Sequence, residues 1–426
     1  MDRTTVDVID VDLHESPFTS GDYSSRVTAW NELSGRCPVA WNTDSGGHWV
    51  MSSYSSVAAI SRDNDGFAHA YRPEIGEDGI KYDGQIGVPR PAGAAPLGIG
   101  ETDGPLHKAV RQALNPRFTP GGARALEPFI RTTAHALLDQ RIESGRIEFV
   151  DDLLTPITAM TTVHSLGLPV SLWARSADVF HRMMGYKPGS ADYIRVSQVE
   201  APALFADFVA VALERRRNPM DDIVTAVAQI EVDDELLSDE DLGFVIFNLV
   251  LGGVDTTTGF ISHVLRHLSR DVAARQHLVD HPELFDSAVE EFLRLYGSVN
   301  ALTRTCTRDT EIDGHLVRRG DRVFIAHAAA NRDPVEFTDA DSFVPDRQRN
   351  RHMAFGAGAH RCLGAHVART TSRLVVEAVL ERIPDYTIDE SAVVTYSGSA
   401  ALSGTWEVPA TFTPGRSAGA ANPTGI

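Results

Sequence analysis

Phe355-Gly356-Ala357-Gly358-Ala359-His360-Arg361-Cys362-Leu363-Gly364 places one cysteine on a glycine-rich loop at the mouth of a helix. Glycines at 356, 358 and 364 let the backbone turn tightly and let a flat partner approach closely. From about Leu363 the apolar residues Ala365, Val367, Ala368, Leu374, Val375, Val376, Ala378, Val379 and Leu380 recur at helical spacing. A helix start offers free N–H groups and positive dipole to a nearby sulfur, which favours thiolate over thiol. Such a thiolate suits a metal ligand or a nucleophile. A lone cysteine read without its loop is an ordinary small buried residue.

Working back along the chain, a long helical pattern over 239–270 contains Gly252-Gly253-Val254-Asp255-Thr256-Thr257. Adjacent glycines inside a helix cost about 1 kcal/mol each relative to alanine. Thr256 follows Gly252 by four residues, so its hydroxyl can bond that carbonyl and open the helix locally. One reading is a groove beside an acid and an alcohol that pass protons to a bound molecule. The other is close helix packing. Asn248 and Leu251, about a turn earlier, look into the same groove, unless Asn248 merely bonds its own backbone. On the helix over 282–296, Glu291 and Arg294 are three apart and share a face; by itself that pair reads as a solvated surface.

Composition narrows the function classes. The 426 residues carry 39 Lys and Arg against 58 Asp and Glu, a net charge of −19, which argues against nucleic acid and anionic membrane as partners. Cys37, Cys306 and Cys362 are far apart and odd in number, which excludes a disulfide framework or a zinc site of ordinary spacing and favours a reducing cytoplasm. The acidic N-terminal stretch has no apolar signal-peptide core, and the apolar run Phe244–Val254 is too short to cross a bilayer.

The pattern F-G-x-G-x-H-R-C-x-G resembles the haem-binding loop of the cytochrome P450 family, and the resemblance extends from about residue 20 to 412. It implies a soluble, bacterial-type haem-thiolate monooxygenase with haem b, in which Cys362 is the axial iron ligand. The Gly252–Thr256 stretch resembles the family's oxygen-activation segment, which implies that Asp255 supplies or relays protons and Thr256 orients water. Glu291, Arg294 and the Arg347 of Pro345-Asp346-Arg347 match the family's E-x-x-R and P-x-R pieces, implying a buried network that fixes the cysteine loop. His107, Arg111, Arg304 and His360 stand at the family's propionate-contacting points. Phe355, Gly356 and Gly252 would line the cofactor. Asn300, Ala301 and Leu302, with Ala400 and Ala401 of the loop that closes such pockets, join Asn248 and Leu251 as expected substrate contacts.

The fold expected is mainly α with small β-sheets, a single domain over 21–412 with haem between the oxygen-activation helix and the cysteine-loop helix. A flexible tail is expected over 1–20 and a disordered one over 413–426. Helices are predicted over roughly 105–115, 122–144, 149–167, 170–185, 200–216, 219–230, 239–270, 271–279 and 282–296, and strands near 48–53, 310–317, 321–325 and 404–412. The glycine- and proline-rich residues 71–105 read as a substrate-covering loop. No flavin or nicotinamide domain fits, so electrons from NAD(P)H are expected through a separate ferredoxin and ferredoxin reductase, to a monomer acting on O2 and a small organic substrate. Hydroxylation or epoxidation in natural-product, terpenoid or xenobiotic metabolism is the leading reaction. The same chemistry used for oxidative coupling or ring formation is the alternative. An inert haem-protein scaffold is disfavoured by the intact Cys362, and a peroxide-driven enzyme by the intact Asp255 and Thr256.

Overall fold

The helix predicted over 239–270 runs uninterrupted as Asp239–Arg270. Its start is fixed by Ser238, whose side chain accepts from the Asp241 amide, and by three acids in the first turn; its last turn carries His267 and Arg270. The computed structural model describes residues 6–13, 18, 23–69, 74–76, 79–81, 98–187, 189–396 and 401–419. They divide into two compact units.

The second unit comprises Pro105–Val289, Leu363–Tyr396 and Gly404–Ile426. Here the Asp239–Arg270 helix is the central rod, packed against Thr155–Leu166, Trp173–Gly185, Ala201–Arg217 and Ala365–Arg382. Leu242, Ile246, Val250, Val254, Ile261 and Leu265 are buried along it, at the three-to-four spacing that gives a helix one apolar side. By length and hydropathy, Asp239–Arg270 and Ala191–Arg217 could each cross a membrane, so the apolar run extends beyond Phe244–Val254. In Asp239–Arg270 the most apolar stretch is 67% buried inside the protein, which makes it a core helix.

The first unit comprises Met1–Gly104, Glu290–Cys362 and Ser397–Ser403. It holds a mixed six-stranded sheet in the order Asp7–Ile9, Val39–Asn42, His48–Met51, Arg322–Ile325, Leu302–Cys306, Phe67–Ala68. Side chains alternate across a strand, and here the alternation feeds two cores. Trp49, Met51, Val323 and Ile325 join one apolar cluster, while Val50 and Phe324 join the other. That is why His48–Met51 is buried at every position. Register then sets Arg304 opposite Val323 and Thr303 opposite Phe324.

Several expectations need correction. Part of the tail expected over 1–20 is structured: Asp7–Ile9 pairs in parallel with Val39–Asn42, and Leu13 and Phe18 are buried. At the other end, the Thr413 amide donates to Asp385 Oδ2 at 3.1 Å, Gly415 to Ile142 O at 2.8 Å and Ala418 to Asp139 Oδ2 at 3.1 Å. Residues 420–426 lie outside the described residues. So does most of the expected loop over 71–105, apart from a hairpin of Glu74–Gly76 with Gly79–Lys81 and the segment from Gly98. The helices Tyr23–Arg36 and Tyr54–Arg62, and the short Ala191–Arg195 and His327–Ala330, have no counterpart among those predicted.

Candidate active site

The cysteine loop belongs to the first unit. Gly356 and Gly358 adopt φ of +63° and +73°, a region costly for side-chain-bearing residues. Gly358 is needed twice over, since a Cβ there would lie 2.3 Å from Ser61 O. A Cβ at Gly356 would meet nothing within 4 Å. The Cys362 amide donates to Phe355 O at 2.9 Å and closes the loop. Cys362 is exposed and in no disulfide. The helix after it begins at Ala365.

A buried ionic network reaches this loop. Glu291 takes Arg294 Nε at 2.8 Å and Nη2 at 2.7 Å, Arg347 Nε at 3.0 Å, the Val344 amide at 3.1 Å and Asn350 Nδ2 at 2.9 Å. The Glu291 and Arg294 side chains are both 0% exposed, so the solvated-face reading fails. Arg294 Nη1 also donates to Asn331 O at 2.9 Å, and Asn331 Oδ1 receives the Met353 amide at 2.6 Å. Met353 O in turn receives the Gly356 amide at 2.9 Å. A chain of bonds thus runs from Glu291 to the turn that presents Cys362. Burial pushes the Glu291 carboxyl up, but the bonds and charge of Arg294, with Val344 and Arg347, outweigh it and hold it below the ordinary range.

Arg304 is buried on its strand. Its Nη1 donates to Thr303 O at 2.7 Å, while Nε has no partner among the described residues. Burial lowers its pKa to about 9, with the charge of Asp103 opposing. Burial and the Arg304 charge together hold His327 at about 3. His360 already has an anion: its Nε2 lies 2.9 Å from Asp103 Oδ1, and its ring stacks on His69 at 3.4 Å. Asp103 Oδ2 also receives the His69 amide at 2.7 Å. Asp103 was not among the expected site residues, although it lies four residues before His107.

In the second unit, His107 and Arg111 sit four apart on the Gly104–Leu114 helix, His107 buried and Arg111 half-buried. Thr256 Oγ1 donates to Gly252 O at 2.7 Å, as the spacing predicts. The expected opening of the helix does not follow, because a carbonyl has a second lone pair and can take the hydroxyl without losing the helix. The two glycines divide the alternatives between them. A Cβ at Gly253 would lie 2.5 Å from Thr162 Oγ1, a packing contact; one at Gly252 would meet nothing within 4 Å.

Asp255 and Thr256 are adjacent, so they point about 100° apart around the helix. Thr256 is half-buried; Asp255 faces the core and is 2% exposed. Asp255 Oδ1 accepts from Tyr396 Oη at 2.7 Å and lies 2.7 Å from His181 Nδ1. Neither partner was legible in the sequence, since they lie 141 and 74 residues away and carry no local pattern.

The expected substrate contacts are mixed. Asn248 is half-buried and Leu251 buried on the Asp239–Arg270 helix. Ala301 is 0% exposed and packs into the cluster with Val50, Phe324 and Ala326, so it is a core residue and not a pocket wall. Leu302 packs against the other cluster. The Asn300 backbone is engaged by Ala401 O at 2.7 Å and the Ala328 amide at 2.9 Å. Ala401 is buried, and Ala400 lies outside the described residues.

The Cytochrome P450 family profile matches residues 173–383. A linalool 8-monooxygenase of Pseudomonas putida is 30% identical over 355 residues, covering 81% of this chain and 86% of its own. The chain belongs to the cytochrome P450 family. A steroid C26-monooxygenase of Mycobacterium tuberculosis is 30% identical over 95% of this chain and 98% of its own length. Among solved structures, the Mycobacterium marinum cytochrome P450 CYP268A2 in complex with pseudoionone superposes with a TM-score of 0.86 at 26% identity, covering 95% of this chain and 99% of that one. This P450 is therefore a haem b monooxygenase of bacterial type with the mainly helical P450 fold, an oxidoreductase that incorporates oxygen into small molecules using electrons from partner proteins.

The residues present fit a haem. Arg304 is a buried guanidinium with an orphaned donor, a state that calls for a carboxylate such as a propionate. Within the first unit, open space over Gly356 suits a flat group lying against backbone.

Proposed function

We propose that this P450 hydroxylates a branched, apolar carbon skeleton bearing one polar group, with Cys362 as the axial thiolate. The observation that carries the assignment of Cys362 is an exposed sulfur on a loop held to a fully buried ion pair. Cys362 would hold a haem iron through that sulfur, and the group would supply dioxygen activation there, favoured by an electron-rich thiolate. Arg111 and Arg304 would hold the propionates as cations and His107 as a hydrogen-bond donor, with His360 restricted to Nδ1 because Asp103 occupies Nε2. Phe355, Gly356 and Gly252 shape the surface against which the ring lies. Thr256 Oγ1, tied to Gly252 O, holds a water or substrate oxygen in place, and Asp255 relays the proton.

Substrate polarity is read by Asn248, half-buried on the Asp239–Arg270 helix. The relatives' names, for linalool and steroid oxidation, support an apolar skeleton. The electron donor is a ferredoxin with its NAD(P)H-dependent reductase; the exposed Arg62 and Arg361, whose backbones both lie close to Gly358, suit an acidic docking face. The protein acts in the cytoplasm as a monomer.

The test is the carbon monoxide difference spectrum of the dithionite-reduced holoprotein. Wild type should give the strongly red-shifted Soret band of thiolate ligation, and Cys362→Ser should bind haem without it. Survival of that band in Cys362→Ser overturns the assignment.

A further inference from the structure

We infer that His181 and Tyr396 form with Asp255 a buried proton holder, in which His181 is the positioning residue that determines when Asp255 carries a proton. This rests on the proton-passing role proposed for Asp255. The three polar atoms make a closed triangle: Tyr396 Oη to Asp255 Oδ1, His181 Nδ1 to Asp255 Oδ1, and Tyr396 Oη to His181 Nδ1 are each 2.7 Å. All three residues belong to the second unit.

Proton counting gives the triangle its chemistry. The phenol has one proton, and it donates to Oδ1. While Asp255 is ionised, a bare Nδ1 would face the carboxylate oxygen lone pair to lone pair, so in that state Nδ1 itself carries a proton. The remaining variable is Nε2, which is buried with no partner among the described residues, as is Asp255 Oδ2. The cluster therefore exists with a neutral imidazole and net charge −1, or with an imidazolium and net charge zero. Transfer from the imidazolium Nδ1 to Oδ1 breaks one N–H bond and makes one O–H bond. No electron moves, and the products are a neutral imidazole and a carboxylic acid able to pass the proton on.

The environment favours the imidazolium. Burial works against charge on His181, but the Asp255 carboxylate outweighs it by charge and hydrogen bond, and Asp151 and Glu148 add to the pull, so its pKa is raised. The Tyr396 phenol is driven the other way from ionising, by burial and by Asp255, and stays protonated. These are the charged and titratable groups acting on the ring: Asp255, Tyr396, Asp151 and Glu148. The Trp406 indole stands edge-on to it at 4.7 Å.

The arrangement is built for these rings. A Cβ on Gly185 would lie 2.2 Å from the Trp406 ring, and one on Gly404 would lie 2.3 Å from the Tyr396 ring. Tyr396 N donates to Gly404 O at 3.1 Å, fixing the segment that carries the phenol. Two glycines with negative φ thus make room for the rings that hold His181.

The experiment is a pH titration of the holoenzyme labelled with 15N-histidine, in its diamagnetic ferrous carbon monoxide form, with His181→Gln identifying the His181 signals by NMR. Wild-type His181 should titrate above the ordinary value near 6.5. Asp255→Asn should lower that midpoint by about one unit or more. Tyr396→Phe should raise it, because Oδ1 loses a competing donor. Opposite shifts from two neighbours identify a shared proton; a packing role alone moves neither. Product formed per electron consumed should follow the same midpoint in wild type and become pH-independent in His181→Gln. A His181 signal that ignores Asp255→Asn overturns the inference. If the thiolate-type carbon monoxide band is absent as well, the P450 reading of Cys362 has failed first; if the band is present, only the proton holder has failed.

Discussion

Glu291 concentrates more of this molecule's order than any single catalytic candidate. Its carboxylate is buried, pairs with Arg294 and Arg347 and also receives Asn350 and the Val344 amide. Removing the charge leaves two buried guanidinium groups short of an anion, a loss of roughly 3 kcal/mol for a broken buried pair. Glu291→Gln should therefore lower stability in denaturant melts by about that amount. Surface substitutions nearby, such as Gln348→Ala, should change little. The Glu291–Arg294–Arg347 partnership was legible from E-x-x-R and P-x-R spacing. Asn331 and Asn350, which relay it, were not, because asparagine bonds backbone and side chain with equal ease and its partner depends on tertiary position. Asp255 shows the same limit. Its place on the helix could be read from sequence, but not the histidine and tyrosine that occupy it.

At the level of the helix, the glycine pair makes a sharper prediction than the sequence allowed. Gly253→Ala gains helix propensity yet forces a Cβ to 2.5 Å from Thr162 Oγ1, which is held on Thr158 O at 2.7 Å and has no room to retreat. Overpacking of this kind costs about 1–3 kcal/mol. Gly252→Ala meets nothing and should gain up to about 1 kcal/mol. Thermal melts of the two variants should move in opposite directions. The long amphipathic helices were legible because three-to-four periodicity is strong over thirty residues. Tyr54–Arg62 was not, since its first turn is serine-rich and its start depends on the Ser53 side chain accepting from the Ser56 amide. The strand Leu302–Cys306 was hidden by the arginine and threonines in its middle, residues more common on surfaces.

For the molecule as a whole, the two units are interleaved, each assembled from three stretches of chain. No composition change marks crossings such as those at Gly104, Val289 and Cys362, and one falls inside the Phe285–Tyr296 helix, in keeping with the single P450 domain read from the sequence. Charge pairing joins distant stretches within each unit and sets a pH limit. Asp222 beside Arg215, Glu291 beside Arg294, and Glu390 beside Arg266 and Arg270 each resist the upward pull of burial and keep lowered pKa values. A carboxylate with a depressed folded pKa contributes stability above its unfolded value near 4, and that stability is lost as pH falls through the folded value. Glu148 acts in the opposite sense, since burial raises it and acid relieves the strain. Because lowered carboxylates outnumber the one raised, stability measured by denaturant melts should decline steadily below about pH 4. The C-terminal segment follows a different rule. Thr413, Gly415 and Ala418 are fastened mainly through main-chain N–H groups, which every residue but proline possesses. Except at Gly415, where a Cβ would come within 2.9 Å of Ile142, substitutions along the segment leave these donors in place. Its anchorage is thus one-sided in chemistry: interchangeable main-chain donors on the segment, and on the core two carboxylates, Asp385 and Asp139, whose loss would release it.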